Sequence, residues 1–390
     1  MKEKEASKGF NRSTEGLLLR QRHLAMTILG VFVVASAMFT GCGKTNSGSG
    51  KIVGLIPNSM LLDGSTLYVV NSGDSTISVD TVTVSDKEPH VIALSQPAGS
   101  VYGSLYAISV TGGTVKSLSS GGNSSINITN KGIIALPAGS YPEYMTVTTV
   151  SGVKKGYVSL NGTNQVAVLN LDKNTVLGYI TITSYTTWPS SFQAHPWGIA
   201  MVNGKVMVAN NGADYAAYSY TQPAMVSVIE PSSDTLLTPV TTTTGINLQA
   251  VEPLRSTGFV VISSGNYGSI SGYAELFDNA FTEKSAVPLS GGGAGIAIST
   301  TGIGYVASGS MVGYDAINTN TGMFITTTDL SKQISGLTGF NLTSIEFAPD
   351  GTLWATDWQD NMVFEIDPTT NTVINTFKLS EPAQDVVFEY

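Results

Sequence analysis

The chain has 390 residues, with 19 Lys/Arg against 28 Asp/Glu, three histidines and one cysteine. A formal charge of −9 repels phosphate backbones, which disfavours nucleic-acid binding, and a single cysteine leaves stability to the core instead of disulfides. Charged residues make up only 12% of the chain while Gly, Ser and Thr abound, which suits a β-rich exported domain more than a helical one.

In chain order, a basic stretch ending in Arg20, Arg22 and His23 leads into the apolar run Leu24–Phe39 and then Thr40-Gly41-Cys42-Gly43-Lys44. A basic start, an apolar core and small residues at the cleavage point describe a signal peptide, and the run is shorter than the ~20 residues that span a bilayer comfortably. Small residues before a lone cysteine resemble the lipobox of bacterial lipoproteins, although Phe39 stands where Leu is usual. The resemblance implies a signal peptide over 1–41 and acyl chains on Cys42, anchoring the protein to a membrane of the bacterial cell envelope. Gly43 replaces the Asp that tends to retain Gram-negative lipoproteins at the inner membrane, which leans towards the outer one. Residues 42–56 then form the lipidated cysteine and a flexible tether, with Thr45–Gly50 as Gly/Ser coil. Removing the six Lys/Arg and three Asp/Glu of the leader from the totals of 19 and 28 leaves 13 and 25, a charge of −12.

Residues 57–390 read as a repeat. Second strands of a recurring unit are legible at Leu67–Asn71, Gly156–Leu160, Val206–Asn210, Phe259–Ser263, Gly304–Ser308 and Leu353–Asp357. From Tyr157 the steps to Met207, Val260, Tyr305 and Trp354 are 50, 53, 45 and 49 residues. The step from Tyr68 to Tyr157 is 89, so a degenerate repeat is expected near Thr114–Leu118, making seven. Third strands at Gln165–Leu169, Met225–Ile229 and Met362–Ile366 run into the polar segments Asp172–Asn174, Glu230–Asp234 and Asp367–Asn371. Strands on both sides make these hairpin turns and not calcium loops.

Four antiparallel strands every 40–50 residues describe a β-propeller blade. The stretch Tyr68-Val-Val-Asn71-Ser-Gly-Asp-Ser-Thr76-Ile-Ser-Val79 resembles the YVTN repeat, and Val363–Val373 resembles its second half. The expected fold is all-β, a seven-bladed propeller, with six blades possible if the weak second repeat is an insertion. Glu381–Tyr390 has the pattern of an innermost strand with nothing after it. The expectation is that it closes the ring as the inner strand of the first blade, whose other strands start near Thr66.

Little in the residues points to catalysis. Only His90 and His195 lie beyond the leader, too few for a multi-histidine copper or zinc centre, and no haem-attachment motif is present, so no cofactor or metal is expected. Channel-facing candidates are Glu143, His195, Glu252, Glu346 and Asp385, which would serve a lactonase- or phosphoesterase-like hydrolase. Aromatic residues are more suggestive. Loops joining second to third strands and loops joining blades lie at one end of a propeller, and two insertions fall there: Ser184–His195 and Gly212–Tyr220. They bring Trp188, Phe192, His195, Tyr215, Tyr218 and Tyr220 to one face. Tyr267 and Trp358 come from corresponding loops, and Trp197 is expected at the channel entrance. Trp354 and Tyr305 alternate within strands and are expected in the core. The preferred reading is a monomeric binding or scaffold module whose aromatic face engages a protein, peptide or glycan. The alternative is packing of the insertions onto the propeller.

Overall fold

The computed structural model describes residues 58–388 except 72–74, 85–89, 96–103, 110–113, 118–125, 184–187, 218, 221–223, 256, 268, 338–341 and 380–382, with backbone alone at 58, 71 and 82–131. The leader, Cys42, the tether and Tyr218 therefore lie outside the described residues. Those described belong to one compact unit, Pro57–Tyr390. Among them no helix is long and apolar enough to cross a membrane.

The strands are β1 (Asn58–Asp63), β2 (Thr66–Asn71), β3 (Thr76–Val84), β4 (His90–Ser95), β5 (Ser104–Ser109), β6 (Thr114–Ser117) and β7 (Ile126–Ala135). Next come β8 (Pro142–Val150), β9 (Val153–Leu160), β10 (Gln165–Asn170), β11 (Thr175–Thr181), β12 (Pro196–Val202) and β13 (Lys205–Asn210). The inserted hairpin β14 (Ala213–Asp214) and β15 (Ser219–Tyr220) precedes β16 (Met225–Glu230), β17 (Thr235–Leu236) and β18 (Val240–Thr241). The remainder are β19 (Leu248–Leu254), β20 (Gly258–Ser263), β21 (Tyr273–Asp278), β22 (Glu283–Pro288), β23 (Gly293–Ile298), β24 (Ile303–Ser308), β25 (Gly313–Asn318) and β26 (Met323–Asp329). The last five are β27 (Leu342–Phe347), β28 (Leu353–Asp357), β29 (Met362–Asp367), β30 (Thr372–Lys378) and β31 (Ala383–Phe388).

They form seven antiparallel blades. Numbered around the ring, blade 1 is β1-β2-β3-β7 and blade 2 is β8 to β11. Blade 3 is β12-β13-β16 with β17 and β18 sharing the outer position, and blades 4, 5 and 6 are β19–β22, β23–β26 and β27–β30. Blade 7 is β31-β4-β5-β6. Each innermost strand packs against the next, in the order β1, β8, β12, β19, β23, β27, β31 and back to β1. That closed succession is a β-propeller around a central channel.

The predicted second and third strands all form. The cause is burial on both sides: one face of each strand packs on the blade before it and the other on the blade after, so both faces are apolar and the strands read as short apolar runs. Val166, Ala167, Val168 and Leu169 of β10 are all buried, and so are Trp354 and Tyr305. The turns are hairpins as expected. Asn174, Asp234 and Asn371 adopt left-handed φ of 51°, 53° and 54°, which Asn and Asp tolerate, and Asp367 Oδ1 accepts the Thr369 amide at 2.8 Å.

Closure differs from the sequence expectation. The inner partner of β2 is β1, whereas β31 pairs with β4, setting Ala383 opposite Ser95 and Val386 opposite Ala93. The degenerate second repeat does build a blade, but the chain steps backwards to make it. After β3 it lays down β4, β5 and β6 beside blade 6, then returns to add β7 as the outer strand of blade 1. The C-terminal strand thus clasps strands some 300 residues away without being part of the first blade.

One irregularity recurs. In blades 2 to 7 the pairing of the innermost strand with the second shifts register near its upper end, at Pro142/Met145, Pro196/Ile199, Leu248/Ala250, Gly293/Gly295, Leu342/Ser344 and Ala383/Asp385. Such bulges break the in–out alternation of side chains. Glu143 and Trp197 occupy two of them, at the rim of the channel.

Candidate functional site

The two insertions meet on the upper face, as their loop positions require. Gln193 and Ala213 exchange backbone hydrogen bonds of 2.9 and 3.0 Å, which ties the inter-blade loop to the β13–β16 loop. The Gly212 amide donates to Ala194 O and the Asn211 amide to His195 O.

Their aromatic residues divide into two groups. Trp188 is only 7% exposed and sits in an apolar cluster with Tyr157, Val166, Ile180, Ile199 and Met225, and Phe192 packs against the same cluster. These two fasten the insertion to blades 2 and 3. Tyr267 is 46% exposed, and Tyr220 meets it edge-on at 6.5 Å across blades 3 and 4. Trp197 is half-buried at the upper end of β12, tilted against Tyr144 at 6.5 Å, and its carbonyl accepts from Ser159 Oγ. Trp358 lies on blade 6, apart from the blade 3–4 group, and its Nε1 is buried with no hydrogen-bond partner.

Between these lies a polar network that aromatic residues alone do not reveal. His195 stacks on Tyr215 with ring centroids 3.9 Å apart. Its backbone sits at a left-handed φ of 48°, held by its amide donating to Asn164 Oδ1 at 2.8 Å. His195 Nδ1 is 3.1 Å from the Asn161 carbonyl. A carbonyl can only accept, so this nitrogen carries the proton. Burial lowers the imidazole pKa, with the Asn161 contact opposing it, so the ring is neutral at pH 7. The Tyr215 hydroxyl donates to Asn211 Oδ1 at 2.9 Å and accepts from Asn161 Nδ2 at 3.1 Å. Asn211 Nδ2 in turn donates to Leu248 O of blade 4 at 2.8 Å. Asn161 and Asn211 end the strand-to-loop transitions of blades 2 and 3, where Asn is common enough as a turn residue to pass unnoticed in sequence.

The channel carries acids. Glu143, Glu252, Glu346 and Asp385 all lie on innermost strands, β8, β19, β27 and β31. Glu252 pairs with Val260 and Glu346 with Trp354, equivalent second-strand positions, so the two carboxyls share one layer. Burial pushes Glu252 up to about 8, with the Glu346 charge adding to it. Glu346 faces open channel, yet protein rings it on every side; desolvation and the Asp385 charge raise it to about 7 against the opposing Phe347 amide. Asp385 accepts from Ser344 Oγ of blade 6 at 2.5 Å and from the Met60 amide of blade 1 at 3.1 Å. Its burial raises its pKa despite these bonds. Among the described residues, no group of three or more His, Cys, Asp or Glu side chains is gathered to hold a metal.

No family model matches the chain, and no curated protein matches it. Solved structures do. A Kuenenia stuttgartiensis structure described as hydrazine synthase superposes with a TM-score of 0.57 at 14% identity, over 88% of this chain and 92% of that one. A putative 6-phosphogluconolactonase from Bacteroides fragilis gives 0.57 at 12% identity, over 78% of this chain and 99% of that one. A streptogramin B lyase gives 0.52 at 14% identity, over 83% of each chain. At such identities the likeness is one of fold.

Proposed function

We propose that this chain is a lipid-anchored propeller of the YVTN-repeat type that serves the bacterial cell envelope as a recognition module, binding through its upper face over blades 3 and 4. The lipobox-like segment ending at Cys42 and the YVTN-like stretch from Tyr68 support the anchor and the family. The observation that carries the binding reading is the exposed Tyr267 edge-on to Tyr220 across two blades, beside the His195–Tyr215 stack. Exposed tyrosines supply amphipathic contact area at low entropic cost. The test is capture from envelope extract by the full chain in detergent, beside a variant carrying Tyr220→Ala and Tyr267→Ala. A partner held only by the unaltered chain supports the assignment, and equal capture by both removes it from this face.

A second reading, a channel hydrolase, has one observation in its favour. Glu252 and Glu346 share a layer, and with pKa values raised to about 8 and about 7 the first keeps its proton near neutral pH while the second is partly ionised, the division that an acid–base pair acting on a lactone or phosphoester requires. Turnover of such substrates that vanishes in Glu252→Gln and Glu346→Gln would move the function there.

A further inference from the structure

The chain contains three Asn-Gly pairs, Asn161-Gly162, Asn203-Gly204 and Asn211-Gly212. In such a pair the asparagine is chemically labile, because glycine has no side chain to hinder attack by its backbone nitrogen on the neighbouring carboxamide. In a folded chain the reaction needs access for water and base, a glycine amide not otherwise engaged, and room for a ring to form. The three pairs sit in different surroundings.

Asn161 and Asn211 are 1% and 2% exposed. The Gly162 amide donates to Ser140 O at 2.9 Å and the Gly212 amide to Ala194 O at 3.0 Å, so both nitrogens are engaged. Their side chains are held as well: Asn161 Nδ2 donates to the Tyr215 hydroxyl and Asn211 Nδ2 to the Leu248 carbonyl. Gly162 is also crowded, since a Cβ there would lie 2.2 Å from Gly139 O. Asn203 and Gly204, by contrast, are both exposed. They form the two-residue turn between β12 and β13, on the face opposite the two insertions, with φ of 49° and 73°. Positive φ at both positions marks a type I′ turn, for which Asn-Gly is a favoured pair. Strand pairing joins the flanking Val202 and Lys205 and leaves the Gly204 amide to water. A Cβ on Gly204 would meet nothing within 4 Å, so the space beside it is open. The Asn203 carboxamide donates to Asn279 Oδ1, in the β21–β22 turn of blade 4, at 2.6 Å, an exposed bond that water can replace.

We propose that Asn203 is a deamidation site of the folded protein, converting to aspartate and isoaspartate, while Asn161 and Asn211 are protected. The site is independent of the recognition face. Hydroxide takes the Gly204 amide proton, and the freed nitrogen attacks Asn203 Cγ. A C–N bond forms, the Cγ–Nδ2 bond breaks, and Nδ2 leaves as ammonia with a proton from water. Water then opens the cyclic imide at one of its two carbonyls. Opening at Cγ gives aspartate; opening at the main-chain carbonyl gives isoaspartate, whose backbone runs through Cγ. No electrons are transferred, and hydroxide and water are the only co-reactants. Each product carries a new negative charge and lacks the amide that donates to Asn279, which severs that tie between blades 3 and 4.

The test incubates the full chain in detergent at pH 7 and pH 9, beside a sample unfolded in urea. Peptide mapping by mass spectrometry with electron-transfer fragmentation distinguishes asparagine, aspartate and isoaspartate at each position. In the folded chain Asn203 should convert at least about tenfold faster than Asn161 or Asn211, since the buried pairs react only when their loops open. Conversion should be faster at pH 9, as loss of the amide proton requires. In urea the three rates should agree within about threefold, since each is then an open Asn-Gly pair. Asn203 still intact in the folded chain when the unfolded sample has fully converted would overturn the proposal. So would Asn161 or Asn211 reacting as fast as Asn203 in the folded chain.

Discussion

Asp385 is the point at which the ring is tied shut, and its replacement by Ala has a calculable cost. The carboxylate sits on the C-terminal strand and reaches both neighbouring blades: Oδ1 accepts Ser344 Oγ at 2.5 Å and Oδ2 accepts the Met60 amide at 3.1 Å. A hydrogen bond to a charged group contributes about 1.5–3 kcal/mol, and an amide left unpaired and buried costs about 1–3 kcal/mol. Ser344 recovers part of its loss by turning its hydroxyl. The raised pKa of Asp385 shows that burial already opposes the ionised form, so the full sum is not lost. The expected net destabilisation is therefore about 2–4 kcal/mol. Asp385→Asn should cost about half as much, because one amide face still accepts from Ser344 while the other meets the Met60 N–H donor to donor. Urea unfolding is the assay, with Trp354 as reporter: its ring centroid is 5.8 Å from that of Phe388, on the same closing strand. A lower midpoint at unchanged slope is expected. A midpoint equal to that of the unaltered chain would refute the claim that these two bonds hold the clasp.

Three further outcomes follow from the same geometry. Glu252 and Glu346 keep protons up to about 8 and about 7 that the unfolded chain releases near 4.5, so the folded state binds more protons across that window and stability should fall as pH rises through it. Urea midpoints at pH 5 and pH 8 check this, Glu252→Gln should flatten the difference, and a midpoint that climbs with pH would contradict it. Trp188→Ala should cost about 3–5 kcal/mol, since it empties a buried site, whereas exposed Tyr267→Ala should stay within about 0.5 kcal/mol; equal melting temperatures for the two would reverse their assigned roles. Gly162→Ala should lose about 1–3 kcal/mol, because its new methyl meets Gly139 O and the Tyr141 ring at 2.2 and 2.4 Å, and thermal melting reads the loss directly.

The strands and turns were legible in the sequence because their causes are local. A short apolar run such as that opening Val206–Asn210 or Leu353–Asp357, bounded by turn residues, sets a strand, and Asp or Asn at 174, 234 and 371 selects the turn. Repetition of these units at steps near 50 residues implied the propeller, and antiparallel direction alone placed the two insertions on one face. Loop position could not separate Trp188, which packs inside, from Tyr267, which does not. Both are aromatic residues in upper loops, and exposure depends on which apolar cluster lies beneath. Nor could it show that Asn161 meets Asn211 and Tyr215, since that contact joins two loops some fifty residues apart in sequence. Strand pairing across the ring closure was equally hidden. His90–Ser95 and Ala383–Phe388 carry nothing that names the other, and their union follows from where the ring leaves an open edge. Local periodicity thus determined the main strands and the propeller architecture, while the pairing of distant strands, the count of blades and the burial of individual side chains arose only when every blade was packed against its neighbours.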